Sequence, residues 1–171
     1  MAQGRLQSVS EGSAQGGEEM SSILKKIGTY TCRGVMPDRT QTRIQLWDGS
    51  FKTAYRVTKF IIANTIPHGT ADQVAVLKTD GQDGGSIALP FWDFSHNKQI
   101  GWAAQENHTT ASVRGTWSLV DPDHLIVEDL FVTGICSADG QEINYYLEME
   151  KYAVSDWQGA LALVRARSQG D

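Results

Sequence analysis

Cysteine is nearly absent from this chain. Cys32 and Cys136 are the only two in 171 residues, and they form no CxxC pair. That excludes a cysteine zinc ribbon and a disulfide-knit miniature fold. It leaves two small buried thiols or a single disulfide. Basic charge is also short: 15 Lys and Arg face 20 Asp and Glu, for a net charge of -5. A dedicated nucleic-acid binder normally shows a basic face, so nucleic-acid contact is not expected. No apolar run approaches the ~20 residues needed to cross a bilayer as a helix. Residues 1–22 lack the apolar core of a secretory signal. These absences point to a soluble chain made in a cytoplasm, with no membrane partner.

Catalytic motifs are missing as well. The four histidines stand in no HxH or HExxH spacing. His68 and His108 fall in polar stretches, His96 follows a strand end, and His124 lies beside a turn. A metal site from His96 and His124 with Asp93, Asp121 and Asp123 requires the fold to join two separate loops. The acidic stretches Asp80–Asp83 and Asp121–Asp123 have calcium-type oxygens but no EF-hand spacing, and turn formation already explains Asp there. There is no GxSxG, and Gly84-Gly85-Ser86 lacks the strand-turn-helix context of a nucleophile elbow. Neither GxGxxG nor GxxxxGK[ST] occurs, so no phosphate cradle is present. We therefore assign no catalytic, cofactor-binding or metal residues, and expect a non-enzyme without a cofactor.

What the chain does have is a long succession of short β patterns. Thr42–Trp47 alternates, with Ile44 and Leu46 on one face, and stops at the turn dipeptide Asp48-Gly49, with a return strand expected from Phe51. Tyr55–Ala63 is a longer strand, with Tyr55, Val57 and Ile61 on one face and Phe60 and Ile62 on the other. Gln73–Leu77, Ile87–Phe94, Ile100–Gln105, Val113–Val120 and Leu125–Thr133 follow; Pro90 makes the second of these an edge or a bulge. Ile143–Tyr152 is the cleanest pattern: Ile143, Tyr145, Leu147 and Met149 face in, and Asn144, Tyr146, Glu148 and Glu150 face out. With Tyr30–Val35, this makes about eight to ten strands without intervening helices. Parallel βαβ folds need crossovers of a dozen or more residues. The expected fold is an all-β, antiparallel β-sandwich of jelly-roll type with one short C-terminal amphipathic helix.

Three segments follow. Residues 1–22 hold nine Gly or Ser and almost nothing to bury, which predicts a mobile arm. Residues 23–154 form the sandwich domain, with order beginning near Ile23 and Leu24. Residues 155–171 form the helix and tail. Ser155 is its N-cap, and Trp157, Ala160, Leu161 and Val164 make an apolar stripe ahead of Arg165 and Arg167. That stripe docks on its own sandwich or on a neighbouring subunit. Ile23, Leu24, Trp157, Leu161, Val164, Arg165 and Arg167 are the candidate interface residues. Trp92, Trp102 and Trp117 fall in three strands, where they fill the core, meet a protein partner or form a platform for a sugar.

The stretch Arg43-Ile44-Gln45-Leu46-Trp47-Asp48-Gly49-Ser50-Phe51-Lys52-Thr53 resembles a segment of virion structural proteins of marine bacteriophages. So do Leu125-Ile126-Val127-Glu128-Asp129-Leu130-Phe131, the stretch Glu142 to Glu150, and Ala160 to Gln169. The resemblance spans most of Gly28 to Gln169. It implies a capsid or capsid-associated protein located in the virion and synthesised in the host cytoplasm. Its partners would be copies of itself, as a homo-oligomer, and other virion proteins. The acidic arm, with Arg5 as its only basic residue before Lys25, favours an outer or vertex position over one lining the genome. The alternative function is a glycan- or receptor-binding β-sandwich module.

Overall fold

The structure, a computed structural model, describes residues 24–49, 52–66, 69–81, 92–107 and 114–155. Residues 1–22 with Ile23, and the expected helix with Trp157, Leu161, Val164, Arg165 and Arg167, lie outside the described residues. So does most of the expected strand from Ile87 to Phe94. The described chain is all-β: β1 Leu24–Met36, β2 Gln41–Ile44, β3 Thr53–Asn64, β4 Gln73–Lys78, β5 Gln99–Asn107, β6 Arg114–Val120, β7 Leu130–Cys136 and β8 Ile143–Val154. They form a three-stranded sheet in the order β1-β8-β3 and a five-stranded sheet in the order β2-β7-β4-β5-β6. Every pairing is antiparallel. Among the described residues no helix is long and apolar enough to cross a membrane.

The core lies between the two sheets. Phe60, Ile62, Leu147 and Met149 from the smaller sheet meet Leu77, Ala103, Leu130 and Val132 from the larger one. β8 is central because its alternation is unbroken: Ile143, Tyr145, Leu147 and Met149 are buried, and the residues between them are half-buried. Close contact between the layers depends on a glycine. A Cβ on Gly134 of β7 would lie 2.5 Å from Met36 Cε and 2.8 Å from Ile143 Cδ1, both in fully buried side chains. Gly134→Ala is therefore expected to destabilise the fold by about 1–3 kcal/mol through overpacking. A fall in the urea midpoint at constant slope is the measurement, and an unchanged midpoint sinks the expectation.

Four sequence expectations change. In β3 a bulge between Val57 and Lys59 shifts the register against β8, so Tyr55 and Val57 are followed inward by Phe60 and Ile62, and Ile61 turns outward. β2 stops at Ile44 instead of reaching Trp47, because the Leu46 and Trp47 N–H groups donate to the Asp129 carboxylate at 2.8 and 3.0 Å. Asp48-Gly49 turns the chain, with Gly49 at φ 81°, but β2 and β3 are not a hairpin; they lie in different sheets. The expected strand Leu125–Thr133 divides in two. Ile126 exchanges backbone bonds with Tyr55 of one sheet, and β7 begins in the other only at Leu130.

Candidate functional site

The outer face of the five-stranded sheet carries the densest exposed aromatic group among the described residues. Alternation along β5 puts Trp102 and Ala104 on that face. The register sets them opposite Leu119 and Trp117 of β6, and opposite Val76 and Val74 of β4. Before β5 the chain places Trp92 and Phe94 on the same rings. Trp92 stacks on Trp117 with centroids 5.0 Å apart and planes 26° from parallel. Phe94 packs edgewise on Trp102 at 4.7 Å and on Trp117 at 6.4 Å. Trp102 is 5% exposed and anchors the group, whereas Phe94 and Trp117 are 60% and 44% exposed and form its surface.

A turn holds Phe94 in place. The Asp93 carboxylate accepts the Ser95 N–H at 3.0 Å and its hydroxyl at 2.6 Å, which ends extended structure where a strand was expected. The Ser95 hydroxyl and then its N–H hold the Asp93 carboxyl below its ordinary pKa. Gln99 Oε1 accepts the buried indole N–H of Trp102 at 2.9 Å and the Asp93 N–H at 3.1 Å, tying turn to sheet. The indole N–H of Trp92 is buried without an acceptor.

Two cavities flank the rings. One of about 340 Å³ is lined by Trp92, Trp117, Ala104 and Glu106. The other, of about 350 Å³, is lined by Phe94, Trp102, His96 and Asp121. A larger cavity of about 480 Å³ lies elsewhere, around Arg43, Trp47, Asp80 and Asp129. There Arg43 Nε donates to Asp129 at 2.6 Å and its terminal nitrogen also pairs with that carboxylate, while Asp80 and Glu128 leave the lining acidic on balance. Burial works against Asp129 ionisation most strongly. The Trp47 and Leu46 N–H groups and the Arg43 guanidinium together outweigh it and hold the carboxyl below its usual pKa.

The sequence-predicted residues are placed as follows. Leu24 is buried against Ala54 and Val154 in a small cluster of the chain's own, so its side chain faces inward. Trp92, Trp102 and Trp117, far apart in sequence, converge, but on the outer face of the larger sheet and not between the sheets. His96 lies beside that platform. His124 is 3.9 Å from Asp121, and burial lowers its pKa against the pull of that carboxylate. His68 and His108 lie outside the described residues. Among the described residues no three His, Cys, Asp or Glu side chains are gathered to hold a metal. Cys32 and Cys136 are both free thiols; Cys32 is half-buried, and burial raises its pKa despite its bond with Tyr145. Sequence reasoning missed Phe94 and Leu119. Their signal was there, since each stands two residues from a tryptophan and so shares its side wherever the backbone is extended.

Fold and site together define a β-sandwich-like all-β protein with an aromatic platform on one outer face. No family model and no curated protein matches the chain.

Proposed function

We propose that the chain is a non-enzymatic virion structural protein, a capsid, cement or vertex component that acts through contacts between subunits. The strand pairing carries this reading. A jelly roll is a long antiparallel hairpin wrapped into two sheets, so strands one and eight, two and seven, three and six, and four and five become partners. Here β1 pairs with β8, β2 with β7 and β4 with β5. β6 is bonded to β5, and it also reaches β3 through the Ser118 hydroxyl, which donates to the Phe60 carbonyl. That pattern supports a jelly roll, an architecture shared by viral shells, lectins and cupins. Among these we favour the shell, on the resemblance read from the sequence alone. β1 adds a surface for a neighbour: it is a 13-residue edge strand with Ile27, Tyr30 and Val35 exposed. On this proposal residues 1–22 are the arm that locks subunits, and residues 155–171 supply the peripheral helix.

Size-exclusion chromatography with light scattering, on the full chain and on a chain lacking residues 1–22, tests the proposal. A closed oligomer that falls apart on truncation is the expected result. A monomer in both cases overturns self-assembly as the mode of action.

A further inference from the structure

We propose that the aromatic platform on the outer face of the five-stranded sheet is a binding site for neutral carbohydrate, independent of any role in a shell. A sugar ring offers two chemistries at once: a patch of C–H groups that packs on an aromatic face, and a rim of hydroxyls that needs fixed hydrogen-bond partners. The platform supplies both. Phe94 and Trp117 present half-exposed rings, and each flanking cavity brings a carboxylate beside them: Glu106 on one side and Asp121 on the other. The cavities, about 340 and 350 Å³, stand at the lower end of small-ligand sites, which run to roughly 300–1,000 Å³.

Charge selects among glycans. With a carboxylate at each cavity, a sulfated or uronic-acid polymer meets like charge, whereas a neutral hydroxyl donates to it. Lys98 follows the turn but is engaged by Asp80 at 3.0 Å. The rings are also set in advance. The Asp93–Ser95 turn and the Gln99–Trp102 bond fix Phe94 and Trp102, so little ordering is left for the ligand to impose.

The test is affinity electrophoresis of the full chain in gels containing xyloglucan, galactomannan, laminarin or dextran, with alginate as the acidic comparison. Retardation by at least one neutral polymer is expected. Trp117→Ala should weaken it about tenfold or more, and Glu106→Gln about threefold or more. Glu106 is exposed and its variant should keep the parent unfolding temperature. Trp117→Ala loses its stacking on Trp92 and should unfold somewhat lower while staying folded at the assay temperature; if it does not fold, Phe94→Ala takes its place. No retardation by any neutral polymer, equal retardation of the Trp117→Ala protein, or retardation by alginate alone overturns the proposal. So does light scattering in which Trp117→Ala breaks an oligomer while no polysaccharide is bound, since the platform is then a contact between copies.

Discussion

Phe60→Ala is expected to destabilise the protein by about 3–5 kcal/mol, and its neighbour Ile61→Ala by no more than about 1 kcal/mol. Phe60 is fully buried between the sheets, where truncation leaves a cavity, while Ile61 is half-buried on the outer face opposite Tyr146. The contrast depends wholly on the bulge between Val57 and Lys59. Without that extra residue, strict alternation from Tyr55 and Val57 would turn Ile61 inward and Phe60 outward. Urea unfolding of both variants at a common slope measures the difference. If Ile61→Ala proves the more damaging, the register of β3 beyond Thr58 is wrong by one residue.

Asp129→Ala is expected to cost about 3 kcal/mol, because it removes the carboxylate to which the Leu46 and Trp47 N–H groups and the Arg43 guanidinium donate. Asp129 is 7% exposed, so water replaces those bonds poorly. The effect carries a pH signature. The native pKa lies below the unfolded value, near 4 for an aspartate. The stabilisation is thus fully present above that unfolded value and is lost as pH falls through the lower native one. Asp129→Asn does not titrate. The difference in unfolding temperature between it and the parent should be constant from about pH 7 to 5 and shrink below about 4. A difference as large at pH 2.5 as at pH 7 would show that the carboxylate charge is not what holds the segment after β2.

Much of this fold was legible in the residues because strand periodicity is local. Ile143, Tyr145, Leu147 and Met149 announce the buried face of β8 by themselves, and the structure buries those four. The absence of helical patterning between the strands likewise fits the two antiparallel sheets. The failures lie where a distant group overrides a local pattern. Leu46 and Trp47 continue the alternation of β2, yet a carboxylate 83 residues from Leu46 takes the first of their N–H groups out of the ladder. Asp48-Gly49 does turn the chain, but a turn dipeptide cannot specify whether the next strand pairs with the last or crosses to the other sheet.

The platform divides in the same way. Three tryptophans in separate stretches were visible, with core, interface and platform all open to them. Alternation sets which tryptophans share a strand face with Leu119 or Ala104, and composition sets the acidic balance around them. Only the β5–β6 register and the Asp93–Ser95 turn bring Trp92, Phe94, Trp102 and Trp117 into one group. By itself the sequence determined the all-β character of the described residues, the inward face of β8 and the lack of catalytic motifs, because each depends on neighbouring residues alone. The tertiary structure decided sheet membership, the parity of β3 and the outward display of the aromatic rings. Those depend on bulges and on hydrogen bonds between residues far apart in the chain, which no local period encodes.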